Sequence, residues 1–105
     1  MTLDQLNSLL ASTGLPVAYY AFPVGDAPPL PWICYIVTGS NNFIADGTVY
    51  KQIQKVDVEL YCRDKDPNLE ARIESVLRSA GIPWEKSETY LDSEKCFEII
   101  YEIEV

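Results

Sequence analysis

Between Phe97 and Val105 the chain sets Phe97, Ile99, Tyr101, Ile103 and Val105 on one parity and Glu98, Glu102 and Glu104 on the other. Successive side chains of a strand point to opposite faces, so this period of two demands a β-strand with one buried and one wet face. The same alternation is read across Val49 to Arg63, where Val56, Val58, Leu60 and Cys62 share one face and Lys55, Asp57, Glu59 and Arg63 the other. Two half-exposed strands need a sheet with something packed on their apolar side.

The packing elements are legible as well. Thr2 to Gln5 has the spacing of a capping box, and Leu3, Leu6, Leu9 and Leu10 recur at helical spacing until Gly14 and Pro16 stop the run. Asp66-Pro67 supplies an N-cap and a first-turn proline for a second helix, lined by Leu69, Ile73, Val76, Leu77 and Ala80 and ended by Gly81.

The aromatic run Val17 to Phe22 predicts a short strand near a sheet edge, and the apolar run Trp32 to Val37 a strand buried on both faces. Between them, Pro23 to Pro31 holds four prolines and one glycine and is a loop. Thr38 to Thr48, with Asn41, Asn42 and Asp46-Gly47, is a long hairpin connection carrying Phe43 and Ile44 near its tip. A further strand runs from Ile82 to Tyr90, followed by a turn at Asp92 to Glu94. The expected fold is α+β in the order α-β-β-β-α-β-β, a mixed or antiparallel sheet with its helices on one side, forming one domain over residues 1–105.

Size agrees with one core, since a chain of 105 residues buries roughly 65% of the surface its unfolded form exposes. No apolar stretch approaches the roughly 20 residues of a membrane span. The beginning, Met1-Thr2-Leu3-Asp4-Gln5, lacks the basic and apolar regions of a secretory leader, so synthesis and assembly in a cytoplasm are expected. Cys34, Cys62 and Cys96 are odd in number and widely spaced, which points to free, buried thiols.

The chain has no histidine, the side chain that most often serves as general base or zinc ligand near neutral pH. Gly-rich phosphate loops, Cys-x-x-Cys pairs and nucleophile elbows are also missing. The carboxylate pairs Asp57/Glu59 and Asp92/Glu94 are read as solvated faces, not as metal or catalytic sites. No catalytic residue, metal or cofactor is assigned, and function by binding is expected.

Sixteen acidic against eight basic residues give a net charge of −8, which repels nucleic-acid phosphates. Glu98, Glu102 and Glu104 close the chain on one strand face, and an oligomer would repeat that face. The aromatics Tyr19, Tyr20, Phe22, Trp32, Phe43, Tyr50, Tyr61, Trp84 and Tyr90 are more than a small core hides, and Tyr and Trp favour interfaces.

Gly14 to Pro23, followed by Ala27-Pro28-Pro29-Leu30-Pro31, resembles the N-terminal half of small tail-component proteins of phages and prophages of Gram-positive bacteria. The similarity continues through Ser40-Asn41-Asn42-Phe43 with Ala45-Asp46, Val58 to Tyr61, Thr89 to Lys95 and Tyr101-Glu102-Ile103. Such proteins resemble the tail terminator, or tail-completion and head-tail joining, group of long-tailed phages. The resemblance implies an α/β subunit of a hexameric ring that caps the tail tube and meets the head connector while DNA passes through its centre. It places the protein at the head-proximal end of the virion tail, after assembly in the host cytoplasm. Under this reading Asn42, Phe43, Ile44 and Tyr50 contact a neighbouring subunit or the tail tube protein, and Glu98, Glu102 and Glu104 face the lumen. The main alternative is an acidic inhibitor that imitates DNA and binds a basic protein; an enzyme working through carboxylates alone would need a pocket and perturbed acids.

Overall fold

A computed structural model describes residues 1–105. Helix α1 spans Leu3–Ala11, and its capping box is complete: Gln5 N–H donates to Thr2 Oγ1 at 3.1 Å, and Thr2 N–H to Gln5 Oε1 at 2.8 Å. Strands β1 (Val17–Tyr19) and β2 (Trp32–Ser40) follow, then β3 (Phe43–Ala45), β4 (Thr48–Lys51) and β5 (Gln54–Cys62). Helix α2 covers Pro67–Ser79, with Asp66 Oδ1 accepting the Leu69 N–H at 3.1 Å, and β6 (Glu85–Leu91) and β7 (Cys96–Glu104) complete the chain.

The main sheet has the order β1-β2-β5-β7-β6. It is mixed: β1 lies parallel to β2 at one edge, and every other pairing is antiparallel. Both helices pack on the same face. Leu6 and Leu10 of α1 and Leu69, Ile73 and Leu77 of α2 meet Ile33, Tyr35, Val56, Val58, Leu60, Ile99, Tyr101 and Ile103 in one core. Polar ties cross this layer, with Asn7 donating to the Tyr35 hydroxyl at 2.9 Å and Arg72 to the Thr13 carbonyl at 3.0 Å. Ile73 is fully buried, so Ile73→Ala removes core methylenes at a cost of about 3 kcal/mol.

The α+β class, the mixed sheet and the one-sided helices agree with the expectation. Two details differ. The first strand stops at Tyr19, because Tyr20 takes a left-handed conformation (φ 67°) and turns the chain into the proline loop. The run from Val49 to Arg63 is two strands, broken at Gln52-Ile53, so the long connection carries its own two-stranded sheet, β3-β4.

Candidate functional site

The β3-β4 hairpin projects as an arm. Its turn is Asp46-Gly47, both at positive φ (53° and 73°), which is the two-residue geometry whose twist matches the flanking strands. At its root Asn41 N–H donates to the Ile53 carbonyl at 2.9 Å, and Ile53 N–H to Asn42 Oδ1 at 2.9 Å. Asn42 therefore anchors the arm, while Phe43, Ile44, Val49 and Tyr50 are exposed along it, Tyr50 at 77%; Phe43 pairs with Lys51 at the root and not near the tip as expected, because the turn falls at Asp46-Gly47. Phe43 and Tyr50 stack edge to face at 5.8 Å between centroids. The radius of gyration, 14.7 Å, exceeds the roughly 13 Å of a compact domain of this size because the arm stands away from the core.

The sheet face opposite the helices carries the acids. Register places Asp57 opposite Glu102 and Glu102 opposite Glu85, a row of three carboxylates across β5, β7 and β6. Glu98 sits one end of β7 away, where the Tyr61 hydroxyl donates to its Oε2 at 2.7 Å and lies 3.2 Å from Glu59 Oε1. Burial, followed by the neighbouring Glu102 and Glu98, pushes the Asp57 carboxyl above its ordinary value; burial and then Glu98 do the same to Glu59. Glu104 stands apart at the far end, opposite Lys55, and accepts from the Asn41 amide at 3.2 Å. Glu98, Glu102 and Glu104 thus share a face as expected. Asp57, Glu59 and Glu85 join them through strand register, which spacing along the chain does not reveal.

At the Tyr61 end of this face the proline loop folds over the sheet. Phe22 packs on Trp32 at 5.1 Å, and Trp32 on Tyr61 at 6.4 Å. The result is an apolar cleft of about 290 Å³, with Leu30 and Cys96 among its walls and Glu94 at its rim. Cys34 also lines it, and burial, followed by Glu59, pushes that thiol up to about 11.

One carboxylate, Glu70, is buried on the helix side. Glu70, 2% exposed, has Oε1 2.7 Å from Lys86 Nζ and Oε2 2.7 Å from Lys65 Nζ. Burial works against its charge, but the two lysines outweigh burial and hold the carboxyl below the usual range. Glu74 takes Lys86 Nζ at 2.7 Å and the Tyr101 hydroxyl at 2.8 Å, while Lys65 also pairs with Glu88. Glu70 lines none of the clefts, so this network pins α2 to β6 and β7. Its partners lie on separate elements, and nothing in the local sequence marks Glu70 as buried.

A two-layer α+β domain with a bare acidic sheet face, an apolar arm and an apolar cleft is the class these features define. No helix is long and apolar enough to cross a membrane. No protein-family model matches the chain, and no curated protein matches it.

Proposed function

We propose that the chain is a structural virion protein, the ring-forming subunit of a phage tail terminator that caps the tail tube and joins it to the head, acting by binding and without catalysis. The arm carries this reading. Phe43, Ile44, Val49 and Tyr50 stand exposed on a hairpin outside a core that is already complete, as a Phe43–Tyr50 pair and an Ile44–Val49 pair, and exposed apolar surface of that kind serves contact with another molecule. Neighbouring subunits and the tail tube protein are the contacts, with the head-tail connector on the opposite side of the ring.

The acidic face supports the same reading. If Glu98, Glu102 and Glu104, with Asp57, Glu59 and Glu85, line the lumen of a six-copy ring, DNA phosphates are repelled and DNA passes without sticking. The site of action is the head-proximal end of the tail, reached after assembly in the host cytoplasm.

Light scattering over a range of concentrations, with and without tail tube protein, tests the proposal. A ring-sized multiple of 11.9 kDa, or a monomer that becomes one when tube protein is added, supports it. A strict monomer that ignores tube protein overturns it.

One observation favours a second reading, an acidic inhibitor that imitates DNA: Asp57, Glu102 and Glu85 stand side by side across three strands. That reading leaves the arm without a role. It requires a monomer that binds a basic protein tightly and keeps that affinity when Phe43 and Tyr50 are replaced.

A further inference from the structure

The arm and the cleft lie at opposite ends of the sheet. The arm leaves where Ser40 pairs with Gln54, while the cleft sits where β2 begins at Trp32, β5 approaches its end at Tyr61 and β7 begins at Cys96. The nine residues of β2 separate them by roughly 26 Å at strand rise, so a chain cannot fill its own cleft. We infer that the arm of one copy seats its stacked Phe43 and Tyr50 side chains, near the root of the hairpin, in the cleft of the next copy, walled by Phe22, Leu30, Trp32, Tyr61 and Cys96. The inference rests on the ring reading in one respect, that the neighbour is another copy of this chain.

Three properties match donor to acceptor. In size, about 290 Å³ equals the volume of roughly ten waters, the scale of one large side chain with a smaller neighbour. In chemistry, both surfaces are aromatic and apolar. In charge, Asp46 and Lys51 cancel within the arm, residues 41–53, so the rest of the chain carries the whole −8. A neutral arm adds nothing to the repulsion between two acidic bodies, and Lys51 can face the rim acid Glu94.

The area involved decides what kind of contact results. The cleft holds one large side chain with a smaller neighbour, so roughly 200 Å² of the arm enters it and the cleft covers no more than a similar area. The total, roughly 400 Å² at most, falls well below the 1,200–2,000 Å² of a stable pair. A single arm–cleft contact is therefore weak. Each copy gives one arm and receives one, so a head-to-tail series that closes gains one further contact intramolecularly.

Mixing two variants tests the contact. Phe43→Asp/Tyr50→Asp disables the arm, and Ala21→Glu/Ala27→Glu blocks the cleft from exposed rim positions. All four residues lie outside the core cluster, and thermal unfolding verifies that both variants fold. The wild type is expected to gain mass with concentration, while each variant alone stays at 11.9 kDa. At the highest protein concentrations, where one weak contact becomes populated, a 1:1 mixture is expected to shift towards twice that mass and never beyond it, because only one arm and one cleft remain able to meet. An arm variant that still associates like the wild type, or a mixture that holds only monomers, overturns the inference. If a closed ring survives the arm substitutions, the ring reading stands and this contact falls. If the mixture pairs but the wild type forms only two-fold dimers or open filaments, the contact stands and the ring reading falls.

Discussion

Asp57 on β5 stands directly opposite Glu102 on β7, and the pair lies on the bare face of the sheet. Like charges placed across neighbouring strands destabilise a sheet by some tenths of a kcal/mol. Asp57→Asn should therefore raise stability by about 0.5 kcal/mol, or about 2–4 °C in Tm, measured by thermal unfolding at neutral pH. A fall in Tm would show that the carboxylate makes a favourable contact that outweighs the repulsion.

The pH dependence of stability follows from two sets of acids that act in opposite directions. Asp57 and Glu59 have raised values in the folded state, so the folded protein binds their protons more readily and stability falls as pH rises through that window. Glu70 and Glu74 are lowered: burial opposes their charge, but Lys65 and Lys86 at Glu70, and Lys86 and Tyr101 at Glu74, outweigh it. Their contribution is present above the ordinary carboxylate value and is lost as pH falls through the folded one. Tm should rise on acidification from pH 7, peak just above the ordinary carboxylate range and then drop. In Asp57→Asn the initial rise should shrink; an unchanged rise would assign it to other groups.

Within the ion network the two ends of one pair differ in exposure, and mutation should show it. Lys86→Met leaves Glu70 buried with only Lys65, at a cost of about 2–3 kcal/mol. Glu70→Gln leaves two lysines that reach solvent and keep Glu74 and Glu88 as partners, at about 1 kcal/mol. Denaturant titration of both variants distinguishes them, and an equal or reversed order would place the strain elsewhere.

Salt should strengthen self-association. Each copy carries −8, and the mutual repulsion of two bodies is long-ranged, whereas the proposed contact is apolar with one Lys51–acid pair. Raising ionic strength from 0.05 to about 0.5 M shortens the screening length and removes more repulsion than attraction. Sedimentation at fixed protein concentration should show a higher mean mass in high salt. Dissociation by salt would mean that ion pairs dominate the interface.

The three thiols should be silent towards a thiol reagent in the native protein and react together on unfolding. Cys34, Cys62 and Cys96 are all buried, and burial, with nearby carboxylates after it, raises each. The thiolate is the reactive form, and at neutral pH almost none is present. Fast labelling of a single cysteine in the native state would reveal local opening at that position.

Much of the architecture was legible because it depends on local order along the chain. Thr2 and Gln5, or Asp66 and Pro67, lie within one helical turn of each other, and the parity of Phe97 to Val105 is visible at a glance. The arm was half legible. Asp46-Gly47 announces a turn, but the alternation from Val49 to Arg63 suggests one strand where the chain forms two. The signal was there, since apolar positions move from odd numbers (Val49, Ile53) to even ones (Val56, Val58, Leu60), and a continuous strand cannot change parity without exposing its core side. The acidic row and Glu70 were not legible. Asp57, Glu85 and Glu102 meet only through strand register, and Glu70 meets Lys65 and Lys86 only once α2 is laid on the sheet.

Ser40 and Gln54 form the terminal rung of the β2-β5 ladder, and the arm between them is tied to the body only at its root, through Asn41 and Asn42. The arm is an insert in a hairpin whose two legs would meet without it. Loop-closure entropy changes little with the length of such an insert, so it is free to be lengthened, shortened or exchanged while the domain beneath keeps its core. If the arm makes the proposed contact, choice of neighbour rests largely on a short, replaceable peptide, and one scaffold could be refitted to a new counterpart by rewriting that peptide.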